Sequence, residues 1–119
     1  LDPAALAEHA QPARGGQPVV TGLAGPEQAA AVAPLWPALA EACAAAGSDV
    51  VVDAGQVHAG SAHLPLVRAS DLVVWVYRPT AWSVLHTRRR LEGLADLFAA
   101  LPAGVGVVAV AEARRAGDV

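Results

Sequence analysis

The chain has 119 residues, enough for one domain or for part of a larger one. It is 55% hydrophobic and 16% charged, the reverse of a disordered composition, so a packed core is expected, although much of the apolar material is alanine, which buries little area per residue. A formal charge of −3 gives no global electrostatic reason to bind nucleic acid or an anionic membrane, and the single cysteine, Cys43, excludes an internal disulfide.

In chain order, Leu1 to Ala10 reads as a short helix, with Asp2 as its N-cap and Pro3 at the first helical position. Gln11 to Gln17 is a turn-rich connector and Pro18 to Leu23 a short strand. A helical region opens at Gly25-Pro26-Glu27, and Pro34 and Pro37 predict two pieces or a kink. The later piece runs from Pro37 to Ala46 and stops at Gly47.

Three continuous apolar runs follow, at Asp49–Ala54 (DVVVDA), Leu72–Tyr77 (LVVWVY) and Val105–Ala111 (VGVVAVA). Uninterrupted rather than alternating hydrophobicity is the pattern of strands buried on both faces. A loop and a short helix opening near Pro65 separate the first two runs. A long helix, about Thr80 to Ala100, separates the second and third. Val84, Thr87, Leu91, Leu94, Phe98 and Leu101 form its stripe, and Arg88 and Glu92 an i,i+4 pair. This alternation predicts a parallel sheet with crossover helices, in which ligands bind beyond the carboxyl ends of the strands. Asp53 to Gly60 and Arg78 to Thr80 fall there.

No stretch is apolar and long enough for a membrane span, and no secretory signal pattern is present, so a cytoplasmic location is expected. Met is absent and the first residue is Leu1, so the chain is expected to begin inside a longer protein. Lysine is absent too; all eight basic residues are Arg.

Ser48 to Leu94 resembles the second half of the MinD/ParA-type (CobQ/CobB/MinD/ParA) P-loop ATPases. The likeness rests on Val50 to Asp53 with Ala54-Gly55, on Ser70-Asp71 ahead of Leu72 to Val76, and on Pro79-Thr80 ahead of a long helix. It is strongest over residues 49–111 and leaves 1–119 as a single, partial α/β domain. The fold it implies is three-layered, a mostly parallel sheet with helices on both faces. Asp53 would be the Walker B-like aspartate, holding a water of a Mg²⁺ ion at the β/γ-phosphates of ATP. Gly55, in the switch region, and Pro79 would be the cofactor-side residues. The intact parent would bind Mg²⁺ and ATP and could act as a homodimer.

The phosphate-binding pattern G-x-x-x-x-G-K-[ST] is absent, as it must be in a chain without lysine. The chain is therefore expected to hold no nucleotide tightly and to hydrolyse none by itself. The family's frequent Asn after the third strand has no counterpart either, since the chain contains no Asn. A degenerate, non-catalytic P-loop-like interaction module is the alternative. A receiver domain is disfavoured by the missing lysine, and a dinucleotide-binding unit by the missing G-x-G-x-x-G.

Other groupings support blander roles. Asp53, His58 and His63 could be imagined as zinc ligands, but His58 and His63 lack helical i,i+4 spacing, and solvated loop histidines account for them better. Ser61, without a G-x-S-x-G elbow, is expected to cap a helix rather than act as a nucleophile. Arg88-Arg89-Arg90 spreads around a helix diluted by Glu92 and Asp96, so a solvated face is expected rather than a nucleic-acid site. Trp75 and Trp82 are expected to pack in the core or between helices, and Cys43 to be buried and inert.

Overall fold

The computed structural model describes residues 2–102 and 104–113, with the backbone alone at Pro26. Leu1 and the Arg114-Arg115 pair lie outside them. Among the described residues the chain is α/β, with a two-stranded parallel sheet, a small antiparallel hairpin and several short helices. It divides into two compact units, Leu1–Ser70 and Asp71–Val119.

In the first unit, α1 (Pro3–Glu8) starts where expected. The Asp2 carboxylate accepts the Ala4 N–H at 3.0 Å, and Pro3 occupies a position whose N–H would have no helical partner. The connector after it is a hairpin. Strands β1 (Gln11–Pro12) and β2 (Pro18–Val19) pair antiparallel, Gln11 opposite Val19, across a turn in which Gly15 and Gly16 take φ of +104° and +83°. A proline in each strand removes a ladder donor, which keeps the ladder to two residues.

Helix α2 (Pro26–Ala31) gives way to a 3₁₀ turn (Ala33–Leu35) and then to α3 (Trp36–Ala44), so the prolines do divide the helical region. The Trp36 Nε1–H donates to the Ala29 carbonyl at 2.9 Å and ties the pieces together. Buried in this unit are Ala40 and Ala42 of α3 with Leu64 and Val67 of α4 (Leu64–Arg68).

The first apolar run departs from expectation. Asp49 to Ala54 forms no strand, and Val51 is 96% exposed. A strand is stable only when its N–H and C=O groups enter a ladder, and no described strand pairs with this run. Its β-branched composition alone does not order it.

In the second unit, β3 (Val73–Tyr77) and β4 (Val105–Ala109) pair in parallel, Val73 opposite Val105 through Tyr77 opposite Ala109. The Val110 N–H extends the ladder to the Tyr77 carbonyl at 2.8 Å. The expected long helix is two helices, α5 (Ala81–Gly93) and α6 (Ala95–Ala99), parted at Leu94, where ψ rises to 7° directly after Gly93, a poor helix former. Thr80 caps α5, its Oγ1 accepting the Ser83 N–H at 3.2 Å. Of the expected stripe, Leu94, Phe98 and Leu101 are buried and Thr87 and Leu91 half-buried, whereas Val84 is exposed. Trp75 meets Phe98 edge-on, ring centroids 6.4 Å apart.

Among the described residues of this unit, one face of the sheet is covered in part, Val107 beside Trp75 remaining 53% exposed, and the other is bare. Val73, Trp75 and Tyr77 are half-buried; Leu72, Val74 and Val76, with Val108 of the neighbouring strand and Val110 just beyond it, are all exposed. The sequence marks both faces as apolar, and the described residues of this unit cover part of one.

Two outcomes are expected. Phe98→Ala should cost about 3 kcal/mol and Thr80→Ala about 1 kcal/mol in denaturant unfolding, a core cavity against a lost cap. The bare sheet face should bind a hydrophobic dye and drive concentration-dependent sedimentation, and Val76→Thr should weaken both signals.

Candidate functional site

The residues that the sequence singles out belong to different units, Asp53 and Gly55 to the first and Pro79 to the second. Asp53 and Gly55 lie in the irregular segment of the first unit. Gly55 has φ of +59°, a conformation glycine adopts without steric cost. Its N–H donates to Asp53 Oδ1 at 3.0 Å, closing an exposed turn. The carboxylate expected to hold a metal-bound water and the N–H of the expected switch-region glycine therefore satisfy one another. Asp53 is not held at the end of a central strand, because that strand is not formed.

A magnesium-side carboxylate needs a rigid support, and the phosphates need a cradle of free backbone donors with a nearby cation. In the described structure Asp53 stands on an unpaired segment, and the Gly55 donor is engaged.

Pro79 belongs to the second unit, at the carboxyl ends of β3 and β4. With Arg78, Thr80, Val110, Ala111 and Glu112 it lines a shallow, open depression of about 280 Å³. Its rim is tied by local bonds: the Arg78 N–H donates to Ser83 Oγ at 3.1 Å, and an Arg78 guanidinium nitrogen lies 3.4 Å from a Glu112 carboxylate oxygen. That ion pair is almost wholly exposed, so solvent leaves it little energetic weight. The depression lies where a parallel sheet offers a ligand site.

The histidine loop is organised by its own backbone. The His58 N–H donates to Ser61 Oγ at 3.0 Å, and the Gly60 N–H to His58 Nδ1 at 3.1 Å. Ser61 thus caps the 58–61 turn, not α4 as expected. His63 packs against Trp36, ring centroids 5.9 Å apart, and its Nε2 is buried without a hydrogen-bond partner. No cluster of three His, Cys, Asp or Glu side chains suited to a metal occurs among the described residues.

Of two surface features on α5, one follows the sequence reading and one departs from it. Arg88 pairs with Glu92, Nε to Oε1 at 2.9 Å, as the spacing predicts. Trp82, expected to pack, is 70% exposed, and its ring lies against His86, with centroids 4.5 Å apart. Its place one turn before His86 was the available signal, since i,i+4 residues meet on a helix surface. Cys43 is half-buried on α3, and burial pushes its thiol above the usual range by disfavouring the thiolate.

No family model, curated protein or solved structure matches the chain. No helix among the described residues is long and apolar enough to cross a membrane.

A raised thiol pKa leaves less thiolate at any given pH, and the thiolate is the reactive form. Cys43 should therefore alkylate with iodoacetamide more slowly than free cysteine at pH 8, by mass spectrometry, and denaturant should restore the rate.

Proposed function

We propose that the chain is the Walker B/switch half of a MinD/ParA-like nucleotide-binding ATPase, without the phosphate-binding loop, and that it turns over no ATP alone. The observation that supports this reading most directly is the β3–α5–α6–β4 unit. An apolar strand of a parallel pair ends at Pro79-Thr80, and a capped helix of 13 residues begins there, as the resemblance implies. The bare second face of the sheet agrees with a three-layered parent whose other helical layer is supplied elsewhere. In that parent Asp53 would serve as the magnesium-side carboxylate, with Gly55 and Pro79 on the nucleotide side. The parent would bind Mg²⁺ and ATP in the cytoplasm and could pair as a homodimer.

One observation favours a second reading, a non-catalytic P-loop-like interaction module. The Asp53 carboxylate is engaged by Gly55 on a segment that no strand supports, so the chemistry resting on it needs a rearrangement.

Coding DNA upstream of the Leu1 codon separates the two readings. An in-frame extension carrying G-x-x-x-x-G-K-[ST] after an apolar strand favours the ATPase, and a start codon directly before Leu1 favours the interaction module. The purified chain with Mg·ATP should release no phosphate above buffer. Hydrolysis by the chain alone, abolished in Asp53→Ala, would overturn the expectation of inactivity. The extended protein should hydrolyse ATP and lose that activity in Asp53→Ala.

A further inference from the structure

The segment Asp49-Val50-Val51-Val52-Asp53 is rich in β-branched residues yet unpaired. Val51 is almost wholly exposed, Val50 and Val52 are each 45% exposed, and both aspartates are exposed. Among the described residues, no backbone hydrogen bond from 49–53 to another backbone group is found, and the one nearby bond joins the Gly55 N–H to the Asp53 side chain. A run of free donors and acceptors flanked by β-branched side chains is suited to strand addition.

The two charges restrict what can be added. In an extended strand, residues 49, 51 and 53 project to one face, so both carboxylates would stand beside any partner strand's flanking residues. A second copy is a poor partner. Parallel and in register, Asp49 would face Asp49 and Asp53 would face Asp53; antiparallel about Val51, Asp49 would face Asp53. Like charges directly opposite one another are destabilising, whereas opposite charges stabilise a pair. The palindromic pattern thus opposes full-overlap self-pairing in either direction, and charged residues at a free edge commonly have this effect.

We infer that residues 49–53 are a strand-addition site for an extended, β-branched peptide segment of a partner that carries Arg or Lys at two positions four residues apart. Backbone bonds supply the attachment, Val51 and its neighbours the apolar contact, and the two carboxylates the choice of partner. It takes the segment as it stands in this structure, unpaired; in the nucleotide reading the same residues would be a strand of the parent's own sheet, so the two readings are alternatives for 49–53.

The test uses the full chain with two blocked peptides, Arg-Val-Thr-Val-Arg and Asp-Val-Thr-Val-Asp, followed by the NMR shifts and hydrogen exchange of the Val50 to Val52 amides. The Arg-flanked peptide should protect these amides and bind roughly tenfold more tightly than the Asp-flanked one at low salt, a gap that salt narrows. In Asp49→Arg the gap should shrink, and N-methylation of the peptide backbone should abolish protection. Equal response to both peptides, no response to either, or undiminished binding of the N-methylated peptide would each overturn the proposal. So would protection that grows with chain concentration when no peptide is present, since the occupant would then be a second copy.

Discussion

Parallel pairing of β3 with β4 is the constraint on which the second unit depends. Two parallel strands cannot be joined by a tight turn, so the chain must leave the end of β3, travel back along the sheet and re-enter beside its start. The residues between Tyr77 and Val105 do this as α5 and α6. The return path decides which face is covered, and Leu94, Phe98 and Leu101 are buried on it while Trp75 packs against Phe98. It also puts Pro79 and Thr80 beside Val110 to Glu112 at the carboxyl ends of the strands. The depression there follows from the connection, not from any one motif.

The same constraint explains what is unfinished. A two-stranded parallel sheet has two free edges, and here it also has an uncovered apolar face. Parallel sheets are ordinarily covered on both sides, because their strands are apolar on both sides. Leu72, Val74 and Val76 are suited to a second layer that the described residues of this unit do not provide. In the first unit the equivalent deficit is sharper: the run at 49–54 has strand composition and no ladder at all.

The candidate site is affected directly. A carboxylate placed by a strand in a sheet is held rigidly, whereas one on an unpaired segment bonds to its own loop, as Asp53 does to Gly55. The chemistry expected of Asp53 therefore depends on backbone pairing several residues earlier in the chain, and the Asp53 role and the state of the 49–53 segment cannot be considered apart.

The sequence by itself determined the local features. The Asp2 cap, the division of the helical region by Pro34 and Pro37, the Arg88–Glu92 pair and the two apolar strands were legible, because each depends on residues at most a few positions apart. Only the tertiary structure decided the rest. Valine composition says that a segment can be a strand, but a ladder needs a neighbour, and at 49–54 none is paired. Periodicity says that 80–101 is helical and apolar on one side. The break at Leu94, the exposure of Val84 and the bare position of Trp82 depend on what lies opposite each residue, and that is set by contacts between segments distant in the chain.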